Sequence, residues 1–164
     1  MSALKPAVGR PAPPFSLVDE TGAVHDLAHY RGLWLVLYFY PKDDTSVCTR
    51  EACAFRDDID ALQARGARVL GVSRDGRDRH RRFKNKYNLP FPLLSDAAGE
   101  TAHAYGSLFR LAFLRLVRRH TFIIDPDGHI AKIYRKVSMP GHSAEVVRDL
   151  ERLQAEPETG MPLP

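Results

Sequence analysis

Tyr38-Phe39-Tyr40-Pro41-Lys42-Asp43-Asp44-Thr45-Ser46-Val47-Cys48-Thr49-Arg50-Glu51-Ala52-Cys53 contains both cysteines of a 164-residue chain. It continues an almost unbroken apolar run, Leu33 to Tyr40, that predicts a strand covered on both faces, and so a central parallel strand. Pro41 ends that strand, because proline lacks an N–H and fixes φ. From Val47 to Arg65 the apolar positions Cys48, Ala52, Phe55, Ile59 and Leu62 recur every three or four residues, which predicts one helix with a single buried face, closed by Gly66. A thiol in the first turn of a helix meets unpaired backbone N–H groups and the positive end of the macrodipole, so its thiolate is favoured. Cys48 is therefore a candidate nucleophile.

Cys53 lies five residues on. In an intact helix that spacing separates the two Cα atoms by about 8 to 9 Å, whereas a disulfide needs them within roughly 7 Å. The pair cannot be bridged without local unwinding. A structural staple gains nothing from that requirement, while a pair that cycles between dithiol and disulfide can use it.

The remaining chain reads as alternating strands and helices. Phe15 to Val18 and Ala23 to Leu27 flank the turn Asp19-Glu20-Thr21-Gly22 as an N-terminal hairpin. Arg68 to Ser73 is a strand, Arg77 to Tyr87 a helix whose apolar stripe is only His80, Phe83 and Tyr87, and Pro92 to Ser95 a short strand. His120 to Ile124 and Ile130 to Tyr134 flank Asp125-Pro126-Asp127-Gly128-His129, a second hairpin. Ser143 to Gln154 reads as a final helix with Ser143 as its N-cap. Leu108 to Val117, apolar with arginines at 110 and 115, reads as an amphipathic helix that packs on the domain or offers a dimer or interfacial membrane surface. Together these predict an α/β fold with a central mixed sheet, in one domain over residues 1–155, followed by a flexible tail over 156–164.

Bulk composition narrows the function. A 44% hydrophobic content supports a real core, and the formal charge of +4 argues for solubility more than for a polyanion partner. No apolar run approaches the roughly eighteen residues of a membrane span. Met1 to Pro6 lacks the apolar core of a secretory leader, so two cysteines at this spacing suggest a reducing compartment, by default the cytoplasm. The basic run between Arg74 and Tyr87 has no interleaved stacking aromatics and matches no nucleic-acid motif, so a solvated helix face is expected. No histidine or further cysteine stands at ligand spacing for a metal.

The segment Tyr38 to Asp43, with Thr45, Cys48-Thr49, Glu51-Ala52-Cys53 and Phe55-Arg56-Asp57, resembles the active-site segment of the PrxQ or bacterioferritin comigratory protein group of peroxiredoxins, part of the AhpC/TSA superfamily. Pro41, Thr45 and Cys48 match that family's Pro-x3-Thr-x2-Cys motif. Arg119, ahead of Thr121-Phe122-Ile123-Ile124-Asp125, matches its arginine. The likeness extends over about residues 8 to 153, with one departure: Ser46-Val47 stands where the family usually has Pro-Gly. It implies a thioredoxin-like fold and a thiol peroxidase without metal, haem or flavin. Cys48 would be the peroxidatic thiol, Thr45 and Arg119 donors to peroxide, and Pro41 with Tyr40 the wall that excludes water. Cys53 would be the resolving thiol, forming a Cys48–Cys53 disulfide recycled by thioredoxin or glutaredoxin, in a monomer or weak homodimer. Thr45 can also cap the helix, and Glu51 either orients an arginine or simply favours the helix terminus. Two rival readings are a thiol-disulfide oxidoreductase, whose usual spacing is Cys-x2-Cys, and a peroxide-sensing interaction module.

Overall fold

A computed structural model describes residues 5–155. The long apolar run forms β3 (Trp34–Phe39), whose last five residues are all buried. Val36, Tyr38 and Tyr40 point into one core cluster, and Leu35, Leu37 and Phe39 into another on the opposite face. That arrangement explains why β3 carries no polar alternation. β3 pairs in parallel with β4 (Ala67–Ser73), and β4 pairs in parallel with β5 (Leu93–Ser95). On its other side β3 pairs antiparallel with β8 (His120–Ile124), which pairs antiparallel with β9 (Ile130–Tyr134). The N-terminal hairpin, β1 (Ser16–Val18) and β2 (Val24–Asp26), joins through β5 and completes a seven-stranded mixed sheet of order β2-β1-β5-β4-β3-β8-β9.

Both predicted hairpin turns form, each around an aspartate that organises the backbone. Asp19 Oδ1 accepts from the Thr21 and Ala23 amides, and Asp125 Oδ1 from those of Asp127 and His129. Gly22 and Gly128 supply the positive φ of 90° and 86° that these turns need.

Three expectations are corrected. The helix predicted over 47–65 is two helices, α1 (Ser46–Asp57) and α2 (Ile59–Ala64), broken at Asp58. Asp58 accepts a hydrogen bond from the Ser143 hydroxyl at 2.6 Å, so the break is fixed by a distant element and not by a local glycine or proline. Ser143 is consequently not an N-cap: it lies inside α5 (His142–Ala155) and points across to Asp58. The segment Leu108 to Val117 is not a helix. It is a separate two-stranded hairpin, β6 (Leu108–Leu111) and β7 (Leu114–Val117), because its ends are held as strands while Ala112 turns the chain at φ 57°. A short helix absent from the sequence reading, α4 (Glu100–Ala104), precedes it. α3 (Arg77–Tyr87) forms as expected, and the predicted tail over 156–164 lies outside the described residues.

Packing is close where β4 lies beside β3, with Gly71 the register partner of Tyr38. A methyl group built on Gly71 would lie 2.9 Å from the Tyr38 hydroxyl and 3.0 Å from Leu93 Cδ2. Tyr38 is itself fully buried, so it has nowhere to retreat. Gly71→Ala is therefore expected to destabilise the fold by about 1–3 kcal/mol, read from the urea unfolding midpoint. An unchanged midpoint would mean that the β3–β4 layer yields more easily than its packing implies.

Candidate active site

The sheet delivers three elements to one place. β3 ends at Phe39, the chain turns through Pro41 to Thr45, and α1 begins at Ser46, which puts Cys48 in the first helical turn. Phe39 pairs with His120 in the antiparallel β3–β8 register, so Arg119, one residue earlier, enters beside Tyr40 at the same end of the sheet. The buried face of α1 is Cys48, Glu51, Ala52 and Phe55, the spacing of one helical stripe. A carboxylate in that stripe needs a partner. Arg119 supplies it: Nη1 donates to Glu51 Oε1 at 2.8 Å while Nη2 donates to Cys48 Sγ at 3.2 Å.

One guanidinium thus spans a buried carboxylate and the candidate nucleophile. Glu51 is 1% exposed, and burial raises its carboxyl to about 7 against the pull of Arg119 in the other direction. Burial works against the charge on Arg119, but Glu51 and the Cys48 sulfur outweigh it and hold the guanidinium protonated. The Tyr38 hydroxyl and Glu51 Oε2 are both buried without a hydrogen-bond partner among the described residues. Burial first, and the neighbouring Glu51 next, raise Tyr38 well above its ordinary value, so it stays protonated. His120 is pushed down to about 4 by burial and by the charges of Arg135 and Arg118, so the residue adjoining Arg119 is neutral.

The other predicted residues take less direct positions. Thr45 occupies the N-cap position of α1 without capping it through its side chain; its hydroxyl donates to the Lys42 carbonyl at 2.8 Å. With that proton engaged, the free hydrogen-bonding capacity of the Thr45 hydroxyl is its oxygen lone pairs. Pro41 is exposed at the mouth of the loop. Tyr40 is buried in the cluster that holds Cys48, its hydroxyl donating to Asp43 Oδ1 at 2.5 Å. Cys53 is partly buried farther along α1, and both cysteines are free thiols. Ser46 and Val47 already belong to the right-handed helix, so neither takes the left-handed φ that would demand a glycine at that position. Among the described residues no group of three or more His, Cys, Asp or Glu side chains is placed to hold a metal ion.

The sequence reading missed the network that fixes the loop. Asp43 Oδ2 lies 2.6 Å from His80 Nδ1, and His80 Nε2 lies 3.0 Å from the Leu94 carbonyl. Nε2 must donate there, which leaves a single proton between His80 and Asp43. Asp75 accepts from the Asp43 amide and the Ser73 hydroxyl, and Asp44, at φ 58°, accepts from Lys86 and Tyr87. The loop before Cys48 is thereby strapped to α3. The available signal was His80 standing as the polar member of an otherwise apolar stripe.

The profile of the AhpC/TSA family matches residues 8–133. The chain belongs to that family. Its curated relatives include the peroxiredoxin Bcp of Bacillus subtilis, 39% identical over 149 residues, covering 88% of this chain and 94% of that one. The chloroplastic peroxiredoxin Q of Oryza sativa subsp. japonica is 39% identical over 150 residues, covering 91% of this chain and 69% of the rice protein. Among solved structures, a mutant of Xylella fastidiosa PrxQ superposes with a TM-score of 0.87 at 31% identity, covering 93% of this chain and 99% of its own. The Xanthomonas campestris bacterioferritin comigratory protein, solved as trapped intermediate and ligand complexes bearing on its alkyl peroxide reduction activity, gives 0.82 at 30% identity, covering 89% and 98%. The chain is thus a peroxiredoxin of the Bcp/PrxQ type, a thiol peroxidase with Cys48 beside Arg119 and Cys53 in the same helix.

Raising Glu51 means that the folded peroxiredoxin keeps a proton which the unfolded chain releases between pH 4.5 and about 7. Stability from this group is complete below 4.5 and is lost as pH climbs through about 7. Glu51→Gln keeps an acceptor for Arg119 and removes the titration. It is expected to flatten the pH dependence of the urea midpoint across that interval, and an unaltered slope would place the titrating group elsewhere.

Proposed function

We propose that this peroxiredoxin reduces hydrogen peroxide and organic hydroperoxides through Cys48 and Cys53. The observation that carries the reading is the Arg119 guanidinium donating to Cys48 Sγ at 3.2 Å while buried Glu51 anchors its other arm. A thiolate so held attacks one oxygen of ROOH: an S–O bond forms, the O–O bond breaks, and its electron pair leaves on RO⁻, which takes up a proton to become ROH. Fixed donors matter most for the charge that builds on the departing oxygen, and Arg119 is the preorganised cation beside it. The Thr45 oxygen, its own proton given to Lys42, accepts from the peroxide O–H and so selects the protonated ROOH over ROO⁻. Pro41 at the loop mouth and the buried Tyr40 behind it narrow the access of water.

Cys48 is left as a sulfenic acid. Cys53 resolves it: the Cys53 thiolate attacks Cys48 Sγ, an S–S bond forms, and hydroxide leaves and is protonated to water. Both cysteines lie within α1, so its first turns must open for this step. A dithiol reductant such as thioredoxin or glutaredoxin then restores both thiols. We assign the activity to the cytoplasm and to a monomer or weak homodimer; no helix among the described residues is long and apolar enough to cross a membrane. Pro41, Thr45 and Arg119, grouped at the same end of the sheet as Cys48, favour peroxidase chemistry over general disulfide exchange.

Steady peroxide consumption coupled to thioredoxin oxidation tests this reading. Cys48→Ser is expected to abolish turnover. Cys53→Ser is expected to consume one equivalent and then stall until an external thiol is added. Equal steady turnover in all three proteins would remove the assignment, and a single turnover by the wild type would turn it into a sensor. Arg119→Gln, which keeps bulk and loses the charge, is expected to slow peroxide reduction about a hundredfold or more; a rate within a few-fold of wild type would exclude the arginine from the chemistry.

A further inference from the structure

The β6–β7 hairpin stands apart from the main sheet and is better anchored than a free hairpin. Its base is fixed by buried Val117 and by the Arg118 amide donating to the Ser107 carbonyl at 2.7 Å, and Arg74 holds it farther out by donating to the Arg115 carbonyl at 2.7 Å. Its far end is water-exposed and apolar: Phe113 is 92% exposed, Leu111 60% and Leu114 51%. Directly below the tip, Arg110 and Arg115 are cross-strand partners. Like charges in that register repel, and neither arginine lies within ion-pair distance of a carboxylate among the described residues. Arg118 adds a third cation stacked over Phe109 at 4.4 Å. Between this hairpin and α4 lies a cavity of about 500 Å³ lined by His103, Leu108, Phe109, Arg110 and Arg115, with Glu100 on its wall.

We propose that this hairpin is a docking finger for an anionic lipid surface. Leu111, Phe113 and Leu114 enter the interfacial region, Arg110 and Arg115 meet lipid phosphates, and the adjoining cavity receives a headgroup. Two observations select a bilayer over an acidic protein. The apolar element is a convex tip at a two-residue turn, which a fluid interface accepts without a matching groove. It also consists of Leu111, Phe113 and Leu114 alone, whereas a stable protein interface engages roughly 20–30 residues a side. The cations in turn fit phosphates: juxtamembrane arginines gain from the negative surface potential of anionic leaflets, and an aromatic side chain settles at headgroup depth. Arg119 follows β7 by two residues, so the finger and the Cys48 site are joined by one short stretch of chain. The inference is independent of the thiol chemistry.

Co-sedimentation of the reduced wild-type protein with vesicles of phosphatidylcholine alone, or mixed with phosphatidylglycerol, tests it. Binding is expected to the mixed vesicles and not to pure phosphatidylcholine, and to weaken with added salt. Arg110→Gln with Arg115→Gln is expected to lower the partition about thirtyfold. Phe113→Ser is expected to lower it at least tenfold while leaving the melting temperature and the turnover of hydrogen peroxide in solution unchanged. Wild-type protein that stays in the supernatant, or a Phe113→Ser protein that binds as well as wild type, would overturn the proposal. So would sedimentation velocity showing a protein dimer that Phe113→Ser dissociates, in a wild type that ignores vesicles.

Discussion

A carboxyl group sealed inside a helix face has to be answered, and in this peroxiredoxin the answer to Glu51 is Arg119. Taking both ions out of water costs several kcal/mol each before their attraction is counted, so such a pair is weak support for the fold by itself. Its value lies in aim. Glu51 holds one arm of a planar, forked cation, and geometry then fixes the other arm at the Cys48 sulfur. Both partners are placed by regular structure: Glu51 one turn beyond Cys48 on α1, Arg119 by the register of β8 against β3. A one-residue slip in that register would turn Arg119 to the opposite face of the sheet.

The loop between strand and helix is secured with equal care. Asp43 reaches inward to His80 and Tyr40, while Asp44 reaches outward to Lys86 and Tyr87, so consecutive aspartates fasten the loop to α3 on two levels. The inner bonds are shielded from solvent and the outer ones are exposed, where an ion pair adds little. The inner network is therefore what keeps the start of α1 aligned with Arg119.

Much of this was legible in the residues. The unbroken apolar run predicted a strand with two covered faces, and the aspartate-bearing turns predicted both hairpins of the main sheet. Cys48 and the cation beside it followed from the motif around them. What escaped depended on contacts distant in sequence. Nothing local marks Asp58 as a helix break, because its partner Ser143 belongs to α5. Leu108 to Val117 reads as a helix because a short, nearly continuous apolar run does not distinguish helix from strand, and because its turn, Ala112-Phe113, lacks the glycine or asparagine that usually announces a hairpin. His80 reads as one more member of an apolar stripe, and only its contact with Asp43, 37 residues away in sequence, gives it a polar role.

The interruption at Asp58 has a mechanical meaning. α1 is only twelve residues long, and its far end is moored to α5 through the Ser143 hydroxyl, one residue beyond its last turn. Fraying that starts at the amino end can run past Cys53 and still meet a firebreak before α2, whose Leu62 plugs the core. Opening those first turns would draw Cys48 and Ala52 out of the interior, while Leu62 beyond the break keeps α2 seated.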